Sequence, residues 1–398
     1  MNIWSDAPKI PLPKLLSFVV DNRGKTVPLA DDGNHILIAT NCVRNERLYP
    51  SYEKVRYLTQ ETYDTWFRAH PIPGDILFVC KGTPGRVCMV PDPIDFCIAQ
   101  DMVALRADES KIYNKYLLAI LRSCPIQEQI ANTSVGDVIP HFKKQYFDQL
   151  LIPVPDYDLQ KKIGDFYYEF SEKIELNERI NDNLLQQLCT IFKHWFTDNP
   201  SLDTIEQAPL ADLCLVVTKG TTPTTLGKPF VSEGINFIKA ESVLDNHTID
   251  KGKFAFVDSE TNDLLRRSII CSGDIVFTIA GTLGRFALID ESVLPANTNQ
   301  AVAIIRANQS KVTPEYLYSF FLGNWHNDYY TKRIQQAVQA NLSLGTIKSL
   351  PIPILSNKAM SEYLGIITPI IKMTKANEIE ITRLGMIRDA LLPQLMSG

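Results

Sequence analysis

The sequence predicts an α/β (α+β) chain in which two tandem globular domains are separated by two long helices. The helices are expected to pack on each other as a coiled coil, giving the chain pseudo-two-fold internal symmetry. Three observations carry this. The 398-residue chain repeats itself at an offset near 200. Each copy opens with short strand-like segments, and each closes in a helical period sustained over four or more heptads.

The repeat is seen first in Gly74-Asp75-Ile76-Leu77-Phe78, which recurs as Gly273-Asp274-Ile275-Val276-Phe277. Just beyond it, Lys81-Gly82-Thr83-Pro84-Gly85-Arg86 recurs as Ala280-Gly281-Thr282-Leu283-Gly284-Arg285. Gln100, Arg106, Tyr116-Leu117 and Ile152-Pro153 return as Gln300, Arg306, Tyr316-Leu317 and Ile352-Pro353. Upstream, Arg23-Gly24-Lys25-Thr26 aligns with Lys219-Gly220-Thr221-Thr222. A period this long is no solenoid repeat; it duplicates a whole domain. Strand signals fall at Asp75–Cys80, Arg86–Val90 and Met102–Leu105, and return at Asp274–Thr278, Arg285–Ile289 and Ala301–Ile305.

After Ile152-Pro153-Val154-Pro155 and Pro351-Ile352-Pro353 the pattern turns helical. The first seam reads Ile163, Tyr167, Phe170, Ile174, Asn177, Asn181, Leu184, Leu188, Ile191, Trp195. The second reads Tyr363, Ile367, Ile370, Thr374, Asn377, Ile381, Leu384, Arg388, Leu391. A helix of ~38 residues makes a rod of roughly 57 Å at ~1.5 Å per residue. That is too long to hide in one small domain, so the other rod is the expected partner. Pro369 should kink the second rod or mark its true start. Thr374 and Arg388, polar in an apolar seam, suggest packing against a partner chain. The expected spans are 1–155 and 200–355 for the globular domains, and 156–199 and 356–398 for the helices.

Composition narrows the function. The apolar runs Ile76–Cys80 and Ala301–Ile305 are far short of a membrane span, and the N-terminus has no export signal, so a cytoplasmic protein is expected. The 8 cysteines are scattered without a Cys-x-x-Cys, which argues against zinc ribbons and disulfides. The net charge of −5 lacks the basic excess of a typical nucleic-acid binder. Most of that negative excess lies in 156–199, which has 5 basic and 9 acidic side chains, whereas 1–155 has 17 of each. A neutral domain still binds DNA if its cations gather on one face, and needs a partner for further phosphate contacts.

No catalytic constellation survives inspection. The 6 histidines are isolated, so no metal site is expected, and no phosphate-binding Gly-x-x-x-x-Gly-Lys-Ser/Thr occurs. Asp198-Asn199-Pro200-Ser201 approaches a methyltransferase motif but lacks its second proline and aromatic residue. It reads better as a helix stop. Pro91-Asp92 and Pro155-Asp156 read as turns or caps. No cofactor is expected. A pseudo-dimeric enzyme of unrecognised chemistry is the alternative to a binding protein.

What remains is a set of loop residues present in both halves. Arg23, Lys25 and Thr26, with Lys219, Thr221 and Thr222, bring cations and hydroxyls around a flexible glycine. These are groups that reach phosphates or base edges. Lys81, Thr83 and Arg86, with Thr282 and Arg285, form a second such loop, which reads equally as a hairpin turn. Gln100-Asp101 and Asn299-Gln300 supply amides suited to adenine edges or to strand ends. His141 and Asn341 are weaker candidates. Asn177 and Asn377 occupy the same place in the two helices and are expected to meet as a buried pair that fixes register.

Taken together, the Arg-Gly-Lys-Thr loop, Gly-Asp-Ile-Leu-Phe followed by Gly-Thr-x-Gly-Arg, and the Ile-Pro-Val-Pro boundary resemble the specificity subunit of type I restriction-modification systems. Lys173-Ile174-Glu175-Leu176-Asn177 and Arg388-Asp389-Ala390-Leu391-Leu392-Pro393-Gln394-Leu395 add to the resemblance, which spans essentially the whole chain. It implies two target recognition domains, each reading one half of a bipartite site in double-stranded DNA. It implies that the two helices form an antiparallel coiled coil, which sets half-site spacing and docks two modification subunits that bind S-adenosylmethionine. Restriction (motor-nuclease) subunits complete the complex, and no catalysis falls to this chain. No extra N-terminal helix is expected.

Overall fold

A computed structural model describes residues 2–22, 24, 26–133, 139–198, 206–324, 329 and 341–397. The chain divides into two compact units, Met1–Arg179 with Glu380–Gly398, and Ile180–Ile379. Each unit holds one globular lobe and a stretch of both long helices.

In the first unit the strands are β1 (Lys9–Pro11), β2 (Leu16–Val20), β3 (His35–Ile38), β4 (Arg56–Leu58), β5 (Ile76–Val79), β6 (Val87–Met89), β7 (Phe96–Ile98), β8 (Met102–Ala107) and β9 (Leu151–Pro153). They form an antiparallel sheet β2-β8-β5-β6, a second sheet β4-β3-β7 in which β3 and β7 are parallel, and a ribbon β1-β9. The short helices are α1 (Ile3–Asp6), α2 (Gln60–Thr65), α3 (Asn114–Arg122) and α4 (Cys124–Thr133). The long α5 (Tyr157–Phe196) follows.

The second unit repeats this order with β10 (Gln207–Pro209), β11 (Cys214–Lys219), β12 (Ile235–Ile238), β13 (Ala255–Val257), β14 (Ile275–Thr278), β15 (Phe286–Leu288), β16 (Ala296–Thr298), β17 (Val302–Ala307) and β18 (Pro351–Pro353). Its sheets run β11-β17-β14-β15, β13-β12-β16 and β10-β18. Its helices are α6 (Ser259–Leu264), α7 (Pro314–Leu322), α8 (Leu344–Lys348) and the long α9 (Asn357–Ser397). Even the irregularity at Leu16/Phe18 in β2 is matched at Cys214/Val216 in β11.

The repeated phrases turn out to be repeated bonds. Asp75 is buried and accepts from Arg106 Nε and Nη2 at 2.9 and 3.0 Å; Asp274 accepts from Arg306 at 2.7 Å twice. Each aspartate also caps the turn before its strand, taking the Ile72 or Cys271 amide. The Tyr116 hydroxyl donates to Pro153 O at 2.7 Å, and the Tyr316 hydroxyl to Pro353 O at 2.6 Å. These bonds tie the helix after each sheet to the Pro-bounded strand and satisfy the two buried tyrosine hydroxyls.

Helix α5 begins where Asp156 Oδ1 accepts the Leu159 amide at 2.9 Å, an ordinary N-cap. The predicted seam is followed at Ile163, Tyr167, Ile174, Asn177, Asn181 and Leu188, but Ser171, Phe192 and Phe196 are buried in place of Phe170, Ile191 and Trp195. A straight helix drifts off a strict heptad, and the lobes claim the neighbouring face. Phe192 and Phe196 enter the second unit's core with Tyr363, Ile367 and Ile371, while Leu392 and Met396 enter the first unit's core with Ile163 and Tyr167. Within each unit the two helices run antiparallel.

Three expectations need correction. Helix α9 neither starts nor breaks at Pro369. Pro369 and Gly365, whose carbonyl loses its donor, both lie on the exposed face, so that carbonyl is open to solvent. Arg388 packs within the chain: it is buried, donates to Ser171 Oγ at 3.1 Å, and lies 5.1 Å from the Tyr167 ring centre. Thr374 is likewise satisfied, its hydroxyl donating to Ile370 O and its carbonyl accepting from Asn181. Finally, Asn177 and Asn377 do not bond each other. Asn177 donates to Glu380 Oε2 at 2.9 Å, and Asn377 donates to Asn181 Oδ1 at 2.8 Å. The partner that Asn377 takes lies one turn beyond Asn177 on α5, so matching sequence positions do not face one another in this register.

Candidate nucleic-acid interface

Strand register decides which loops share an end. Val20 pairs with Ala104, Val79 with Met102 and Phe78 with Val87. The segment after β2, the β5–β6 turn and the β7–β8 corner therefore leave the same end of the four-stranded sheet. In the second unit Lys219 pairs with Ala303, Thr278 with Val302 and Phe277 with Phe286, which gathers the equivalent three segments. Most of the candidate residues lie on these loops.

In the first unit Arg23 and Lys25 fall outside the described residues. Between them Gly24 has a φ of +105°, which a side chain would resist, and Thr26 is exposed. Buried Asn22 anchors this loop, donating to Ala69 O at 2.9 Å and accepting the Arg68 amide at 3.0 Å. Sequence reasoning passed over it; its signal is a polar residue two places after an apolar strand. Lys81 and Thr83 are exposed on the β5–β6 turn, and Arg86 is half-buried. His141 bridges by its backbone to Lys81, which lays that segment along the turn.

In the second unit the equivalent loop is braced by several bonds. Lys219 is exposed at the end of β11, with Thr221 and Thr222 half-buried behind it. Gly220 is buried, and its amide donates to Asn299 O at 3.1 Å. A Cβ there would stand 1.8 Å from Thr298 O, a backbone atom with no room to retreat. Gly220→Ala is expected to push the loop off the sheet end and cost about 1–3 kcal/mol, read as a lower Tm and faster hydrogen exchange at Thr222. The Thr222 amide and hydroxyl both donate to Gln300 Oε1, the amide at 3.1 Å. The Thr282 hydroxyl is spent on Ala240 O at 3.0 Å. Arg285 is gripped by Asp245 through two bonds of 2.5 and 2.6 Å. Among the described residues Arg86 has no such ion pair. His247, stacked 4.2 Å from Phe286, is pushed down to about pH 4 by burial, so it adds no cation at neutral pH.

The two ends thus offer different chemistry on one frame: exposed Lys81 and Thr83 with Arg86 in one, exposed Lys219 with a latched threonine loop in the other. Among the described residues no group of acidic, histidine or cysteine side chains is arranged to hold a metal ion, and no helix is long and apolar enough to cross a membrane.

Comparison with known proteins bears on the same lobes. The family model described as type I restriction modification DNA specificity domain matches twice, over residues 22–186 and 203–383. The type I restriction enzyme HindI specificity subunit of Haemophilus influenzae is 23% identical, over 82% of this chain and 86% of that one. The MjaIX specificity subunit of Methanocaldococcus jannaschii is 24% identical, over 72% of this chain and 69% of its own. The crystal structure of a type I restriction-modification S subunit from M. genitalium shares the fold, with a TM-score of 0.57 at 15% identity, covering 98% of this chain and 96% of that one. With both copies of its repeat matched across most of their length, the chain belongs to the type I restriction-modification DNA specificity family.

Proposed function

We propose that this chain is the DNA sequence-specificity subunit of a type I restriction-modification complex and performs no catalysis itself. Residues 1–155 and 200–355 act as two target recognition domains, each reading one half of a bipartite duplex site. The helical spans 156–199 and 356–398 set the half-site spacing and dock two modification subunits, with motor-nuclease subunits joining them in the cytoplasm. The observation that carries this reading is the duplicated sheet end, where the same three loops meet twice on one frame with different side chains. Lys81, Thr83, Arg86 and Thr26, with Arg23 and Lys25, contact the first half-site; Lys219 and Thr221 contact the second, and Thr222 latches their loop to the sheet end. Thr282 and Arg285 brace the second turn. Near-neutral lobes suit a reader whose remaining phosphate contacts come from its modification subunits.

The test is methyl transfer to DNA from S-adenosylmethionine. The purified chain alone is expected to give none, and the chain assembled with a modification subunit is expected to methylate at a bipartite site. Transfer by the chain alone would favour the pseudo-dimeric enzyme.

A further inference from the structure

Gln300 stands exposed at the corner between β16 and β17, at the sheet end that carries Lys219 and Thr222. A backbone amide can only donate, so the Gln300 atom 3.1 Å from the Thr222 N–H is fixed as the carbonyl oxygen. The Thr222 hydroxyl donates to the same oxygen, which occupies both of its lone pairs. The amino group on the other side of the planar amide has no partner among the described residues, which leaves its two N–H donors for a ligand. A glutamine reads adenine by donating and accepting at once. This one has only donation left.

The identity of the acceptor follows from the repeat. Gln100 holds the same corner in the first unit, whereas the residues around it differ between copies: Lys81 matches Ala280, and Lys25 matches Thr221. A group shared by two readers of different sequences suits the part of DNA that is the same in every sequence, the phosphate backbone. We propose, resting on the DNA-specificity reading above, that Gln300 is a positioning residue with two tasks. Its oxygen latches the 219–222 loop to the sheet, and its amino group donates to a DNA phosphate. In the first unit the Gln100 oxygen is buried without a partner and Thr26 is exposed, so that latch stands open. The second unit is therefore the place for a test.

Two substitutions separate the tasks. Gln300→Glu keeps the acceptor for Thr222 but removes the donors, and Gln300→Met removes both without adding charge. Each is made in the full chain assembled with a modification subunit, and the target is first mapped by its methylation. In Gln300→Glu the Thr222 amide is expected to stay protected from hydrogen exchange. Binding is expected to fall roughly tenfold or more on target and altered duplexes alike, with the methylated sequence unchanged. Gln300→Met should lose binding on all duplexes and the Thr222 protection as well. Either variant binding as tightly as the parent overturns the proposal. So does a loss confined to the target with methylation relaxing at one base pair, which would make Gln300 a base reader. A parent complex that binds no duplex at all would overturn the DNA-specificity reading instead.

Discussion

Removal of residues 380–398 is expected to unfold the first unit and leave the second folded, although the cut lies at the far end of the chain from the first lobe. Leu392 and Met396 are buried in the same core as Ile3, Ile76 and Tyr116. Arg388 is buried against Ser171 and Tyr167, and Glu380 takes the Asn177 amide. Losing one buried Leu or Met side chain costs about 2–5 kcal/mol. Losing two of them with a buried arginine consumes most of the ~5–15 kcal/mol that holds a domain together. The second unit, Ile180–Ile379, keeps every residue it is built from. Calorimetry or hydrogen exchange on the truncated chain should show protection lost in 1–179 and retained in 206–324. Equal loss in both units, or in neither, would refute the assignment of the C-terminal helix to the first core.

Asp274→Ala should destabilise the second unit strongly. The aspartate is fully buried and binds the Arg306 guanidinium through both oxygens, and it also takes the Cys271 amide. Breaking a buried pair on one side typically costs 3–5 kcal/mol. Arg306 is about a third exposed and regains some water, so about 2–4 kcal/mol is expected. Adding Arg306→Leu should restore part of the loss, because the guanidinium is then no longer stranded beside the sheet. A double variant as unstable as Asp274→Ala would place the cost in the turn instead. Asp75→Ala should act in the same way on the first unit through Arg106.

The duplicated fold was legible because a repeated phrase survives wherever it performs the same bond. Gly-Asp, the later arginine, the Tyr-Leu pair and Ile-Pro all mark such bonds. The helices were legible from their period, but their finer pairing was not. A heptad seam assigns residues to a stripe without saying which residue of the other helix stands opposite, and Asn177 and Asn377 take Glu380 and Asn181 as partners instead of each other. Pro369 misled because its cost depends on whether the freed carbonyl meets water, which a linear sequence does not state. At the candidate interface the loops were recognisable and their internal bonds were not. Thr282 and Arg285 look like Thr83 and Arg86 in sequence, but the second copy gives Thr282 the Ala240 carbonyl and Arg285 the Asp245 carboxylate. Asn22 and the Thr222–Gln300 latch join residues far apart in sequence, and only the fold brings them together.

The central claim is that one chain carries two independent readers, and an exchange of residues 1–155 for the corresponding domain of a relative tests it most directly. The hybrid, assembled with its modification subunits, is mapped by the DNA sequences it methylates. The account predicts that one half of the bipartite target changes while the other half and the spacing between them stay as they were. A target that changes in both halves, or in neither, would contradict it.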